Sequence, residues 1–541
     1  MAHNVGNFKV LPCFFPVNSA GDLADLEARL QSQVLRYKLD QWLLKIHNKC
    51  LAIEEVGEDT IFYPPYLAGL ASFVIRNTSP IIYSGVANSI SDDQFLNTYK
   101  HIVAYLQADP VSFDGGVREY YHHSDHEFLP FRLLCQQVPF LISPTLKLGQ
   151  ALLFYEIAPK RLSRKENIAH FDLAEQFESL VGTSLREFLK IGLFISGQCR
   201  TENGFALGLV KVSRDESQWR VTDQAIHQIM DLVSADREKF RRIYEDQQVS
   251  DRRFRMYSFN PLLVCPLIKP WEENFFGSSD NVRLIAPIPN LVFYTFTAGI
   301  FYLMMHRFKT AFTNYFGHLF EAATEVMLER LDDTYLLFRE GEIRRSYPSG
   351  SGKCPDFAIL EGSTLILIEC KSTYLLADAM TSASEEAIDN SMEQVMGALR
   401  QLNDFSRAVM ERQPGLEDFH EVQRVTTVAL VFDTLMGDTC ELLRSHLLRR
   451  LNDGAAIDFD WQIMSFEQLA MLEPYITAGI SLSATLDKLR CQSVALVLND
   501  LKCLTSFGIE RSLLAVYEDA FFCSLGFPSS QRNKFIPPEP S

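Results

Sequence analysis

Apolar residues recur every three or four positions along most of the chain, and in a few places that period gives way to short unbroken apolar runs. The first pattern presents one helix face to a core, and the second reads as a strand covered on both faces. Phe8 to Val17 reads as a short extended piece. Leu23, Leu26, Leu30, Val34 and Leu35 then follow helical spacing, with Asn18 and Ser19 as caps, and Leu39, Trp42, Leu43 and Ile46 continue the stripe. Further helices are expected from Tyr66 to Ile75, Asp92 to Gln107, Ser184 to Phe194 and Asp223 to Asp246, with a loosely alternating strand from Ala206 to Val212. From Arg253 to Tyr294, prolines at 261, 266, 270, 287 and 289 break the chain into extended pieces. That seam closes a large, mainly helical α+β region over residues 1–290.

After the seam the pattern becomes α/β. A long proline-free helix is expected from Thr297 to Arg330, its stripe made by Phe308, Phe312, Phe316, Leu319, Phe320, Ala323 and Met327. Tyr335 to Arg345 reads as a strand or hairpin arm and Ser346 to Lys353 as a loop. Strands follow at Cys354 to Glu361 and Thr364 to Lys371. The next helix runs from Ser382 to Arg412, with Met392, Val395, Leu399, Leu402 and Phe405 facing a sheet. Val425 to Phe432 is a strand, Glu441 to Leu451 a helix and Ile457 to Met464 a strand, and Ser465-Phe466-Glu467-Gln468 opens a capped helix. Residues 291–474 thus read as a mixed sheet flanked by helices. Residues 475–541 read as a helical extension with a proline-rich tail, Ile536 to Ser541, expected to be disordered.

The chemistry concentrates where two of these strands meet. Gly362-Ser363 between two apolar runs is a type II′ hairpin signal, because glycine supplies the positive φ of the first central position. With a two-residue loop, Glu361 pairs with Thr364, and counting outward places Asp356 opposite Glu369. Glu369 and Lys371 lie two apart on one strand and share a face. Two carboxylates set opposite one another destabilise a sheet unless something positive lies between them. A divalent cation between them, with the Lys371 ammonium beside it, relieves the repulsion and positions a water for attack on a phosphodiester. The bland alternative is a surface hairpin with solvated carboxylates.

Pro355-Asp356 followed by Glu369-Cys370-Lys371 resembles the PD-(D/E)xK nuclease superfamily, over roughly residues 305 to 470. The resemblance implies a restriction-endonuclease-like core, whose element order of helix, three strands, helix and strand matches the pattern above. It implies a Mg²⁺- or Mn²⁺-dependent phosphodiesterase, an endonuclease rather than an exonuclease, acting on nucleic acid with DNA favoured over RNA. A role in bacterial defence or restriction follows by analogy. Asp356 and Glu369 would be metal ligands, and Lys371 would orient the attacking water or stabilise charge at the phosphate. Some members carry a metal-reaching glutamate on the first helix; Glu321 matches, with Gly317 one turn earlier leaving room for the sheet and Glu325 competing. Gln394 and Gln401 are candidates for the family's helix-borne glutamine, with Gln394 taken as catalytic. Neither is followed by the tyrosine of the RecB-like form. The alternative is a catalytically silent nuclease-like module used for nucleic-acid binding or protein assembly.

Other candidates change the picture less. Gly350-Ser351-Gly352-Lys353 is not a phosphate loop, since Tyr347 stands where the first glycine belongs and Cys354 where Ser or Thr would bind Mg²⁺. Lys353, Arg344 and Arg345 are instead expected to contact substrate phosphates. Tyr120 to His126 holds three histidines but reads as an exposed loop rather than a metal site. The basic residues around Lys160 to Lys165, Arg237 to Arg242 and Arg252 to Arg255 are interleaved in part with acids, as on a solvated helix face. The net charge of −17 argues against a protein that coats nucleic acid and points to local or controlled substrate access. Eleven scattered cysteines without a C-x-x-C pair suit reduced thiols and a cytoplasmic setting, and Met1 to Val10 lacks the form of a signal peptide. Leu284 to Met305 is uncharged, but its prolines and polar residues read as a buried strand or turn followed by a buried helix, not a membrane span. Self-association or a partner protein is left open.

Overall fold

Five segments pair into one mixed sheet. They are β1 (Leu336–Arg339), β2 (Phe357–Glu361), β3 (Thr364–Lys371), β4 (Arg424–Val431) and β5 (Asp460–Ser465), in the spatial order β5-β4-β3-β2-β1. The β1–β2 and β2–β3 pairs are antiparallel, and β3–β4 and β4–β5 are parallel. Four helices frame them: α1 (Gly299–Leu328), α2 (Glu340–Ser346), α3 (Glu385–Met410) and α4 (Phe466–Thr477). Parallel neighbours need a crossover, which α3 supplies between β3 and β4. This computed structural model describes residues 3–5, 8–10, 20–56, 62–78, 89–107, 146–163, 171–200, 205–206, 220–248, 259–270, 283–331, 335–347, 354–374, 385–432, 446–451, 459–490, 497, 500–501 and 512–525. The histidine run at 120–126, Lys353, the basic residues at 164–165 and 252–255, the strand expected beyond Ala206 and the carboxy-terminal tail lie outside the described residues.

Period-two alternation sorts the sheet residues onto two faces. Phe357, Ile359, Ile366, Ile368 and Cys370 join a core with Phe316, Leu319, Phe320, Ala323 and Met327 of α1. Ala358, Leu365, Leu367 and Val425 join Leu402, Phe405, Ala408 and Val409 of α3. The α3 stripe is the predicted one: Met392, Val395, Leu399, Leu402 and Phe405 are all buried. A capping box opens α4, Ser465 accepting from the Gln468 amide and the Gln468 side chain returning to Ser465.

Four elements differ from the pattern reading. The arm expected from Tyr335 to Arg345 is strand only to Arg339, after which α2 begins. Glu342 accepts from the Arg339 amide at 2.8 Å, and Glu340 pairs with Arg344 one turn on. Acids in the first turn and arginines in the last complement the helix dipole, which favours a helix there. Asp223 to Asp246 is two helices, Asp223–Val233 and Arg237–Asp246, because Asp236 caps the second by accepting from the Lys239 amide at 2.7 Å. Inside α1, Lys309 takes a φ of 46°, a break that apolar spacing does not reveal. Upstream of α1, a helix Pro289–Phe296 with proline in its first turn replaces part of the expected extended segment.

The apolar core of the α1 face also draws on residues before position 290. Phe154 lies with its ring centroid 5.6 Å from Phe316, 5.5 Å from Phe432 and 4.9 Å from Phe466. Lys147 forms a buried ion pair with Glu467 of α4 at 2.5 Å, and Glu518 accepts from the Gly149 amide at 3.0 Å. A second cluster unites helices Ala20–Val34, Leu39–Val56, Pro64–Asn77 and Asp92–Gln107 around Trp42, Phe73, Phe95 and Tyr99. No described helix is long and apolar enough to cross a membrane.

Candidate active site

The hairpin has the register its sequence dictates. Glu361 pairs with Thr364 and Phe357 with Ile368, so the next step outward sets Asp356 against Glu369. Gly362 has a φ of 59°, and the positive value is confined to that residue of the turn. A type I′ turn would need it at both central positions, so the loop follows the type II′ pattern. Asp356 precedes β2 and turns its Oδ2 to accept from the Cys370 amide at 2.7 Å. Alternation puts Asp356, Glu369 and Lys371 on the α3 face, at the carboxyl ends of β3 and β4, where open α/β sheets place their ligands.

Glu369 is held at both oxygens. Lys371 Nζ donates to Oε1 at 2.6 Å, and Gln401 Nε2, from α3, donates to Oε2 at 2.8 Å. The same Gln401 nitrogen donates to the Cys354 carbonyl at 3.0 Å, tying α3 to the start of the hairpin. Glu369 is only 4% exposed. Burial first, and the Glu369 charge second, push the Asp356 carboxyl up to about 7. Burial also raises Glu369, against the pull of Lys371. Burial works against the Lys371 ammonium, yet the Glu369 charge and hydrogen bond outweigh it and hold Lys371 above its ordinary value.

Two carboxylates therefore share this end of the sheet with one ammonium, and their charged forms are disfavoured. The donors are hard oxygens, which fit Mg²⁺ or Mn²⁺ rather than a soft metal. Among the described residues, no group of three or more His, Cys, Asp or Glu is arranged to hold an ion. A cation here would rest on two carboxylates and complete its shell with water and phosphate oxygens, the usual habit of Mg²⁺.

The helix-borne candidates fall differently. Glu321 lies on α1, within electrostatic reach of Cys370, as does Thr324 on the same helix. Cys370 points to the face of β3 opposite Glu369 and Lys371, and Asp356 and Glu369 act on the same thiol as Glu321 does. A Cβ on Gly317 would sit 3.6 Å from Ser372 Oγ, an ordinary contact, so the glycine is not required for the approach. Glu325 is committed elsewhere: Arg161 and Arg339 both bind Glu325 and Glu329. Gln394 is exposed, and the amide that reaches the pair is Gln401, two turns further along α3.

One acid near the site escaped the pattern reading. The Glu340 amide donates to the Asp356 carbonyl at 2.9 Å, and the Glu340 carboxylate adds to the negative potential at Asp356 and Glu369. It accepts from Arg344 Nε at 2.8 Å and Nη2 at 2.6 Å. The signal was the i,i+4 Glu-Arg spacing, hidden because the segment reads as a strand arm. Several basic residues elsewhere also have internal partners: Lys239 Nζ donates to the Ser234 carbonyl at 2.8 Å and Arg241 Nε to the Arg76 carbonyl at 2.8 Å.

Comparison with protein-family models, with curated proteins and with solved structures returned no match.

Proposed function

We propose that the protein is a divalent-metal-dependent nuclease of the PD-(D/E)xK kind, hydrolysing phosphodiester bonds of nucleic acid, with DNA favoured by the resemblance of its hairpin. One observation carries the reading: Asp356, Glu369, Lys371 and Gln401 meet at the carboxyl end of β3 through a hairpin register fixed by Gly362-Ser363. Asp356 and Glu369 are the residues that would hold Mg²⁺ or Mn²⁺, which supplies Lewis acidity at the phosphate when bound. Lys371 carries its ammonium to the edge of the site, 28% exposed, where it stabilises charge on the scissile phosphate or orients the attacking water. Gln401 keeps the Glu369 carboxylate turned inward. Glu321 and Gln394, expected as partners of the pair, are assigned no direct role here.

Purified full-length protein should cut at least one of supercoiled plasmid, linear duplex, single-stranded DNA or RNA in Mg²⁺ or Mn²⁺ and none in EDTA. Lys371→Ala should abolish the cutting. Metal-independent cutting, or cutting that survives Lys371→Ala, would refute the assignment.

A further inference from the structure

The Glu340–Arg344 pair lies against the carboxylate site but has no part in the hairpin motif. The backbone of Glu340 cannot leave Asp356 easily. Its amide is bonded to the Asp356 carbonyl, and the preceding Arg339 pairs with Phe357 in the sheet and with Glu325 and Glu329. Its side chain is freer, 41% exposed and paired with an Arg344 that is 54% exposed. Exposed i,i+4 pairs are weakly held and readily exchanged. A guanidinium is a planar fork that matches a phosphate better than a single carboxylate oxygen. Arg344 is also within electrostatic reach of Cys354 and Asp356, so a phosphate drawn to it sits at the mouth of the site.

We infer that Glu340 and Arg344 form a charge latch: a phosphate of the nucleic-acid backbone takes Arg344, and the released Glu340 carboxylate adds its charge to the Asp356–Glu369 site. The inference rests on the phosphodiesterase reading and deepens it. With Asp356 and Glu369 ionised, as a bound cation requires, they and Glu340 face Lys371 and Arg344, one negative charge in excess. With Arg344 drawn to phosphate, the excess at the site is two, which matches a divalent cation. Substrate binding and cation binding thereby favour one another, although the chain as a whole is acidic. Arg344 is a substrate-binding residue, and Glu340 is a positioning residue that acts through the charge of the site.

The test is binding of two probes to full-length protein: Mn²⁺ alone by titration calorimetry, and a short DNA duplex in EDTA by anisotropy. Arg344→Gln frees Glu340, so Mn²⁺ binding should tighten by about fivefold while duplex binding weakens about as much. Glu340→Gln frees Arg344, so Mn²⁺ binding should weaken and duplex binding tighten. Arg344→Lys, which keeps the charge, should restore much of both. A merely structural role would weaken both ligands in both variants, and that result, or the absence of any change, overturns the latch. Asp356→Asn separates the two readings. If wild-type protein binds no Mn²⁺ that Asp356→Asn loses, the metal-site reading itself fails and the latch with it. If that loss is seen and the Glu340 and Arg344 variants bind like wild type, the latch alone fails.

Discussion

Glu369 has one oxygen on a lysine and the other on a glutamine, so its orientation depends on a side chain from a different element. Removing such an outer partner of a metal ligand typically costs 10- to 100-fold in affinity or activity. Gln401→Ala should therefore weaken Mn²⁺ binding by about tenfold, measured by calorimetry, whereas Gln394→Ala leaves it unchanged. A second expectation concerns acid. Asp356 is held up to about 7 by burial and by Glu369. The folded metal-free chain thus binds more protons than the unfolded chain between the ordinary carboxylate range and about pH 7, and its stability falls as pH rises through that window. The rise from 3.8 to about 7 corresponds to at most about 4 kcal/mol, distributed over the Asp356–Glu369 pair. Asp356→Asn should flatten the decline, read by denaturant melts across that range without metal. Asp356, Glu369 and Lys371 were legible because strand alternation and a two-residue turn fix both face and register. Gln401 in place of Gln394 was not, because helical spacing says which face is apolar but not which turn comes level with the site.

At the scale of the element, the hairpin depends on one backbone conformation. A Cβ on Gly362 would meet nothing within 4 Å, so a substitution there is opposed by its positive φ alone. Gly362→Ala should cost about 1–2 kcal/mol in chemical denaturation, with the same sheet retained. A loss well above that would mean the turn does more than hold φ. The two strands joined by the turn and α3 were readable from period and length. What escaped is α2, whose sequence carries mixed signals. Its helix is decided by Glu342 on the Arg339 amide and by the Glu340–Arg344 pair, contacts that a hydrophobic pattern does not register. The break at Asp236 escaped for the same reason, since the cap interrupts an apolar spacing that runs through it. Arg161 looked like a surface cation, but it closes a cycle with Glu325, Glu329 and Arg339 that ties an early helix to the strand beside Asp356.

Across the whole molecule, the core between the sheet and α1 also takes in residues from well before position 290. Phe154 packs into it and Lys147 pins α4 beside it, and long-range packing of this kind leaves no periodic trace in sequence. Tests of the site therefore belong in the full chain, because a fragment beginning near 291 would lose Phe154 from between Phe316, Phe432 and Phe466. The charge of −17 also has a consequence for the proposed activity: a nucleic-acid substrate would have to be attracted locally, by Lys371, Arg344 and a bound cation, not by the surface at large. The central claim is that Asp356 and Glu369 form a cation site, and it is tested most directly by the thermal shift of the full chain with Mn²⁺ above pH 7. A cation bound only to the folded state at a hundredfold its Kd adds about 2.7 kcal/mol, so the wild-type melting temperature should rise by a few degrees. The account predicts that this rise vanishes in Asp356→Asn. An equal rise in both proteins, or none in either, would contradict it.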